Sequence, residues 1–155
     1  MDYLRKDKNV HNLLIAYSTS DFATKEAFME RYPGDEYVDV LGFDAYASAN
    51  NLTFQATLDR ELTQLQAIAA EHHKIPALTE VGFERVPDPT WWTKVLLPVL
   101  ASHQMSYALL WRNGRPDHYY VPFPGQASAE DFKAFYGNEK IIFQNRATPL
   151  EIYRK

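Results

Sequence analysis

Four short apolar runs, separated by segments of helical character, set the strongest constraint on how this chain can fold. They are Leu13–Tyr17 (LLIAY), Val38–Phe43 (VDVLGF), Ile75–Val81 (IPALTEV) and Ser106–Trp111 (SYALLW). Each is mostly continuous rather than alternating, the pattern of strands covered on both faces in a parallel sheet.

The intervening segments carry helix signals. Ser20 or Asp21 is placed to cap a helix that runs through Met29 and Glu30 and stops at Tyr32-Pro33-Gly34. The best helix spans roughly Thr53 to His73, where Leu58, Leu62, Leu65 and Ala69 form one apolar stripe. Asp88-Pro89-Thr90 opens a third, with Trp91, Val95 and Val99 facing inward and Pro98 bending it or ending its first part. A loop rich in Pro and Gly (Arg115–Gly125) leads to a fourth helix near Ser128–Tyr136, with Ser128 as cap and acids in its first turn.

The order βαβαβαβα predicts an α/β fold with parallel strands and right-handed crossovers, in one domain over residues 1–155. Two architectures satisfy it: a small open doubly wound sheet, or four units of a (β/α)8 barrel. Spacing does not separate them. Ser18-Thr19-Ser20-Asp21 after the first run is not a Gly-rich phosphate loop, which argues against nucleotide binding.

Composition removes other classes. Hydrophobic residues at 46% and charged residues at 23% are a globular balance. The net charge of −4 and scattered basic residues are not the footprint of a nucleic-acid binder. Without cysteine there is no disulfide or thiolate chemistry, and no spacing of His and acidic residues matches a zinc or calcium site. No cofactor is expected. The apolar runs are too short to span a bilayer, and the polar start MDYLRKDKN shows no signal peptide. Aromatic residues reach 14%, which suits sugar binding through ring faces and suits a large core equally.

In both architectures function gathers at the C-terminal ends of the strands. Glu80, directly after the buried run Ile75–Leu78, is expected to project toward that mouth; as a plain strand-terminal acid it would instead pair with an Arg or cap a helix. Tyr46 can orient such a carboxylate through a phenol hydrogen bond, or be an ordinary half-buried tyrosine. Trp111 can serve as a sugar platform or rim the core, and Asp44 can bond a sugar hydroxyl or cap its loop. His118 and Tyr119 lie in a loop on the same side, as a cleft wall or as solvated loop residues. His72-His73 ends the long helix, where a cation suits the dipole; adjacent side chains diverge, so no shared metal is expected.

Taken together and in order, HNLLIAYSTSDF (His11–Phe22), YPGDEYVDVLGFDAY (Tyr32–Tyr46), ALTEVGFE (Ala77–Glu84), YALLWRNG (Tyr107–Gly114) and HYYVPFPG (His118–Gly125) resemble the fifth-strand-onward portion of glycoside hydrolase family 26. The resemblance implies the C-terminal half, strands five to eight, of a TIM barrel, and a retaining β-mannanase acting on mannan, galactomannan or glucomannan. A β-glucan or β-1,3-xylan hydrolase of the same family, or a non-catalytic carbohydrate-binding fragment, are the alternatives. It implies Glu80 as nucleophile within T-E-V-G, Tyr46 as its hydrogen-bonding partner and Trp111 beside the reacting sugar.

It also implies an extracellular or periplasmic setting. The family's acid/base glutamate, in an H-E-x-N-G-like segment on the fourth strand, has no match here. Glu84 is expected beyond the strand and is not a substitute. Two exposed sheet edges and an apolar inner face are expected to drive self-association, or pairing with an N-terminal half barrel.

Overall fold

The computed structural model describes residues 1–48 and 50–150. A π-helical turn at Tyr3–Asp7 precedes β1 (Ala16–Ser20), α1 (Lys25–Met29), β2 (Val40–Ala47), α2 (Asn51–Glu71), β3 (Ile75–Phe83), a π-helical segment Trp92–Leu96 running into α3 (Leu97–Ser102), β4 (Ala108–Leu110), α4 (Ala129–Gly137) and α5 (Gln144–Ala147). The four strands form one parallel sheet in the order β1-β2-β3-β4.

That order decides between the two architectures. A doubly wound sheet reverses its strand order and buries both faces, whereas a barrel sector adds each strand beside the last and stacks its helices on one face. Here Tyr17, Leu41, Phe43, Ala45, Leu78, Val81, Phe83, Ala108 and Leu110 all join the single core cluster beneath the helices. The opposite face carries Ser18, Gly42, Asp44, Tyr46, Thr79 and Leu109, of which Ser18, Tyr46 and Leu109 are exposed. This is part of a TIM-barrel wall seen from inside.

The core follows the expected stripe. Leu58, Leu62, Leu65 and Ala69 are at most 1% exposed, and Trp91, Val95 and Val99 are buried with them. Pro98 sits in the first turn of α3, where the π-helical segment ends. Lacking an N–H, it leaves the Lys94 carbonyl without its usual partner; Gln55 Nε2 from α2 donates to Lys94 O (3.4 Å) and Val95 O (3.2 Å) instead. The helix meanwhile widens, with Leu97 N–H donating to Trp92 O.

Several boundaries differ from the sequence reading. The first strand is shifted to Ala16–Ser20, leaving Leu13 47% and Leu14 79% exposed. Asp39 sets the start: its Oδ2 accepts from Ile15 N at 2.8 Å, and the Ile15 carbonyl accepts from Asp39 N and Val40 N. Thr24, rather than Ser20 or Asp21, caps α1 through its side chain (Ala27 N to Thr24 Oγ1, 3.2 Å). Asn50 caps α2 by accepting from Thr53 N at 3.1 Å. Ser128 makes no side-chain cap on α4. It is fully buried and accepts from Trp92 Nε1 at 3.1 Å, while bonding to Gln126 Oε1 at 2.7 Å.

Candidate active site

Of the candidate residues at the strand ends, Asp44, Tyr46 and Glu80 lie side by side on the inner face, and the way β3 is built explains how. Phe43 pairs with Leu78, but Asp44 pairs with Glu80, so Thr79 is an extra residue at a bulge. Strict alternation from Leu78, whose side chain lies in the helix-covered core, would send Glu80 into that core too. The bulge restores the count. Both Thr79 and Glu80 face inward, and Val81 returns to the core. Glu80 therefore sits inside β3, not after it, and is half-buried.

Tyr46 lies two residues beyond Asp44 on β2, opposite Gly82. Its hydroxyl donates a short hydrogen bond to Glu80 Oε2. Burial first, then this bond to a carboxylate and its charge, push the Tyr46 phenol well above the usual tyrosine range. It remains a neutral donor across the neutral pH range.

Among the described residues, Asp44 makes no hydrogen bond to the loop after β2. Its Oδ1 lies 3.2 Å from both Ser18 Oγ and Thr79 Oγ1, and these two hydroxyls are 2.6 Å apart, so one donates to the other and the second donates on to Asp44. This cluster fits only because residue 42 is glycine: a Cβ there would lie 2.5 Å from Thr79 Cγ2 and 3.0 Å from the Ala77 carbonyl. A shallow hollow lined by Ser20, Asp21, Asp44, Tyr46 and Phe54 opens beside it.

Trp111 follows β4, its N–H donating to Val81 O at 3.0 Å. Alternation from Leu110, which packs on the core, turns Trp111 to the inner side. The Arg112 guanidinium stands 5.7 Å from its ring centroid, a cation–π contact.

The loop after β4 folds back over β3. Asn113 Oδ1 accepts from Tyr120 N (3.0 Å) and Val121 N (2.9 Å), and its Nδ2 donates to Val121 O (2.8 Å). His118 Nδ1 and Glu84 Oε1 are 2.9 Å apart, which places Glu84 just past the strand and in a loop contact. Arg85 and Val86 take positive φ values of 61° and 42°, strained for side-chain-bearing residues and most of all for a β-branched one. Gln126 Nε2 holds both carbonyls at 3.1 Å, and Tyr119 O accepts from Arg85 N at 2.7 Å.

The Tyr119 ring packs on Phe123, at 5.2 Å between centroids. Its neighbour Tyr120 is the ring that reaches Tyr46, edge-on at 5.4 Å. The sequence carries no signal that separates these two tyrosines. No group of three or more potential metal-ligating side chains occurs among the described residues.

The model of Glycosyl hydrolase family 26 matches residues 1–95, more than half of the chain. The chain belongs to glycoside hydrolase family 26. A curated relative, the mannan endo-1,4-beta-mannosidase of Bifidobacterium adolescentis, is 32% identical across 94% of this chain. Among solved structures, a GH26 β-mannanase from Bacteroides ovatus superposes with a TM-score of 0.86 at 46% identity, covering 92% of this chain. A modular endo-β-1,4-mannanase from Cellulomonas fimi does so with a TM-score of 0.86 at 33% identity, covering 94%. The chain spans 17% of the curated relative, 42% of the Bacteroides ovatus chain and 35% of the Cellulomonas fimi chain.

Proposed function

We propose that these residues form the nucleophile side of a retaining β-mannanase site. The observation that carries this reading is the Tyr46 hydroxyl donating to Glu80 Oε2 on the inner face of the barrel wall. A neutral donor on one carboxylate oxygen fixes the side chain and leaves the other oxygen for attack. Glu80 would bond to the anomeric carbon as the glycosidic C–O bond breaks, with the leaving oxygen taking a proton from a second carboxyl group. Water, deprotonated by that same group, then releases the sugar with retained configuration.

In this reading Trp111 supplies a ring face to the reacting sugar. Asp44 accepts from a sugar hydroxyl, and His118 and Tyr119 wall the cleft. The names of the relatives, a mannan endo-1,4-beta-mannosidase and two β-mannanases, support β-1,4-mannan, galactomannan or glucomannan as substrate. Action outside the cytoplasm fits a polymer of that size. Among the described residues no helix is long and apolar enough to cross a membrane.

Residues 1–155 are the C-terminal half of the barrel domain in this proposal, and the second carboxyl comes from strands they do not include. Retaining chemistry needs the two carboxyl groups about 5–5.5 Å apart, and general acid–base help is worth about 10²–10⁴-fold. The 155 residues alone should therefore be nearly inactive. The inner face is more polar than expected, carrying Ser18, Asp44 and Thr79, so it is the β4 edge, with Tyr107 and Leu109 each 43% exposed, that supports self-association or pairing with an N-terminal half barrel.

Galactomannan hydrolysis tests this, by the 155 residues alone and with an N-terminal half barrel supplied from a family relative. Activity should return only on mixing and should vanish with Glu80→Ala. Intact reconstituted activity in Glu80→Ala would refute the nucleophile assignment.

A further inference from the structure

We propose that Tyr120 is a positioning residue, holding the Tyr46 phenol on Glu80 from a seat that exists only because residue 82 is glycine. The inference rests on the reading of Glu80 and Tyr46 given above and adds a residue to it.

Gly82 pairs with Tyr46 across the β2–β3 ladder, so the space above Gly82 adjoins the Tyr46 ring. A Cβ on Gly82 would lie 2.4 Å from Tyr120 Cδ1, closer than atoms can approach. Gly82 has no positive φ to account for the choice of glycine; the Tyr120 ring accounts for it. That ring meets Tyr46 edge-on at 5.4 Å and 65°, and His118 meets it in turn at 5.4 Å and 89°.

The seat is fixed from behind. Asn113 Oδ1 accepts from the Tyr120 backbone N–H, and His118, two residues earlier, is tied to Glu84 at 2.9 Å. The order of contact runs from the β4 loop through Tyr120 to Tyr46 and from there to Glu80. Tyr46 is 41% exposed, and among the described residues its phenol oxygen makes one hydrogen bond, the one to Glu80. Its orientation therefore depends on what its ring packs against. The Tyr120 hydroxyl makes no side-chain hydrogen bond among the described residues, so its ring is what positions Tyr46 and phenylalanine should replace it.

The test is the 13C chemical shift of the Glu80 carboxyl in the full chain at one fixed neutral pH, with the resonance identified by its loss in Glu80→Gln. Tyr46→Phe removes the phenol's hydrogen bond to Oε2 and should move that resonance away from its wild-type position. Tyr120→Leu and Gly82→Ala, which disturb the seat from opposite sides, should each move it in the same direction as Tyr46→Phe. Tyr120→Phe should leave it at the wild-type position.

A Glu80 resonance unmoved in both Tyr120→Leu and Gly82→Ala, with Tyr46→Phe shifted, overturns the role of Tyr120 and leaves the Tyr46–Glu80 reading standing. A resonance unmoved in Tyr46→Phe overturns that reading and the proposal with it. Amide spectra of each variant establish folding, and either seat variant alone suffices if the other does not fold.

Discussion

Asp44 stands opposite Glu80 because Thr79 is an extra residue in β3, and the Thr79 hydroxyl then clasps the carboxylate of Asp44 at 3.2 Å. Thr79 is 9% exposed and also bonds Ser18 at 2.6 Å. Thr79→Val keeps the branched shape and deletes the hydroxyl. It should cost about 1 kcal/mol, the usual net worth of such a bond, measured by urea unfolding. No loss would mean that the cluster is not held by Thr79.

Gly42 makes the same cluster possible, and its role can be isolated. Gly42→Ala places a Cβ 2.5 Å from Thr79 Cγ2 and should destabilise by about 1–3 kcal/mol, as overpacking does. In a Thr79→Ala background the two closest atoms are gone and only the Ala77 carbonyl, at 3.0 Å, remains tight. The same substitution should then cost distinctly less, a coupling that a double-mutant cycle reads directly. Equal costs in the two backgrounds would count against this packing.

Ser128 supports Trp92 rather than its own helix. Both side chains are fully buried, and the indole N–H donates to Ser128 Oγ at 3.1 Å. Ser128→Ala leaves a buried donor unpaired and should cost about 1–3 kcal/mol. A merely weakened N-cap is excluded as the cause, because no cap bond is made. Far-UV dichroism should accordingly show the helix retained while chemical denaturation shows the loss.

Glu61 is 1% exposed on α2, accepting from Phe22 N at 3.3 Å and Arg60 Nη2 at 3.1 Å. Burial raises its pKa above the ordinary value of 4.5, with Arg60 opposing and Asp21 adding to the rise. From 4.5 up to the raised value the unfolded chain has released this proton and the folded chain still holds it. Stability from this group therefore falls as pH rises through that window. Glu61→Gln lacks the slope, so its stability relative to wild type should improve with pH; parallel curves would contradict the burial argument.

Asp35 has the opposite sign. Its Oδ1 accepts from the Tyr32 hydroxyl at 2.8 Å and lies 2.9 Å from His72 Nδ1, and the Tyr32 bond first, then His72, lowers its pKa below 3.8. Its contribution is present above 3.8 and lost as pH falls through the depressed value. The Tm difference between wild type and Asp35→Asn should therefore be full at neutral pH and shrink toward zero in acid. A difference that persists unchanged in acid would point to shape rather than charge.

Much of this was legible along the chain. The βα alternation, the Leu58–Ala69 stripe and the inward Trp91, Val95 and Val99 follow from periodicity, since burial of an amphipathic helix repeats every 3.6 residues wherever it packs. Glu80, Tyr46, Asp44 and Trp111 were flagged by their places at strand ends, and the fold brings them to one face. What local pattern could not weigh was competition between partners. Leu13 and Leu14 are apolar enough for a strand, yet the Asp39 side chain holds Ile15 and starts pairing later. Ser128 has the look of a cap, yet a buried indole reaches it first.

The sequence by itself determined that four parallel strands would alternate with helices. Tertiary structure alone decided that the sheet runs in sequential order with its helices on one face, because strand order is fixed by packing between distant segments. It alone turned Glu80 inward, because a bulge is visible only against the register of a partner strand. It also chose Tyr120 over Tyr119 to face Tyr46, because adjacent side chains differ only in direction, and direction is set by the backbone bonds to Asn113 and Arg85.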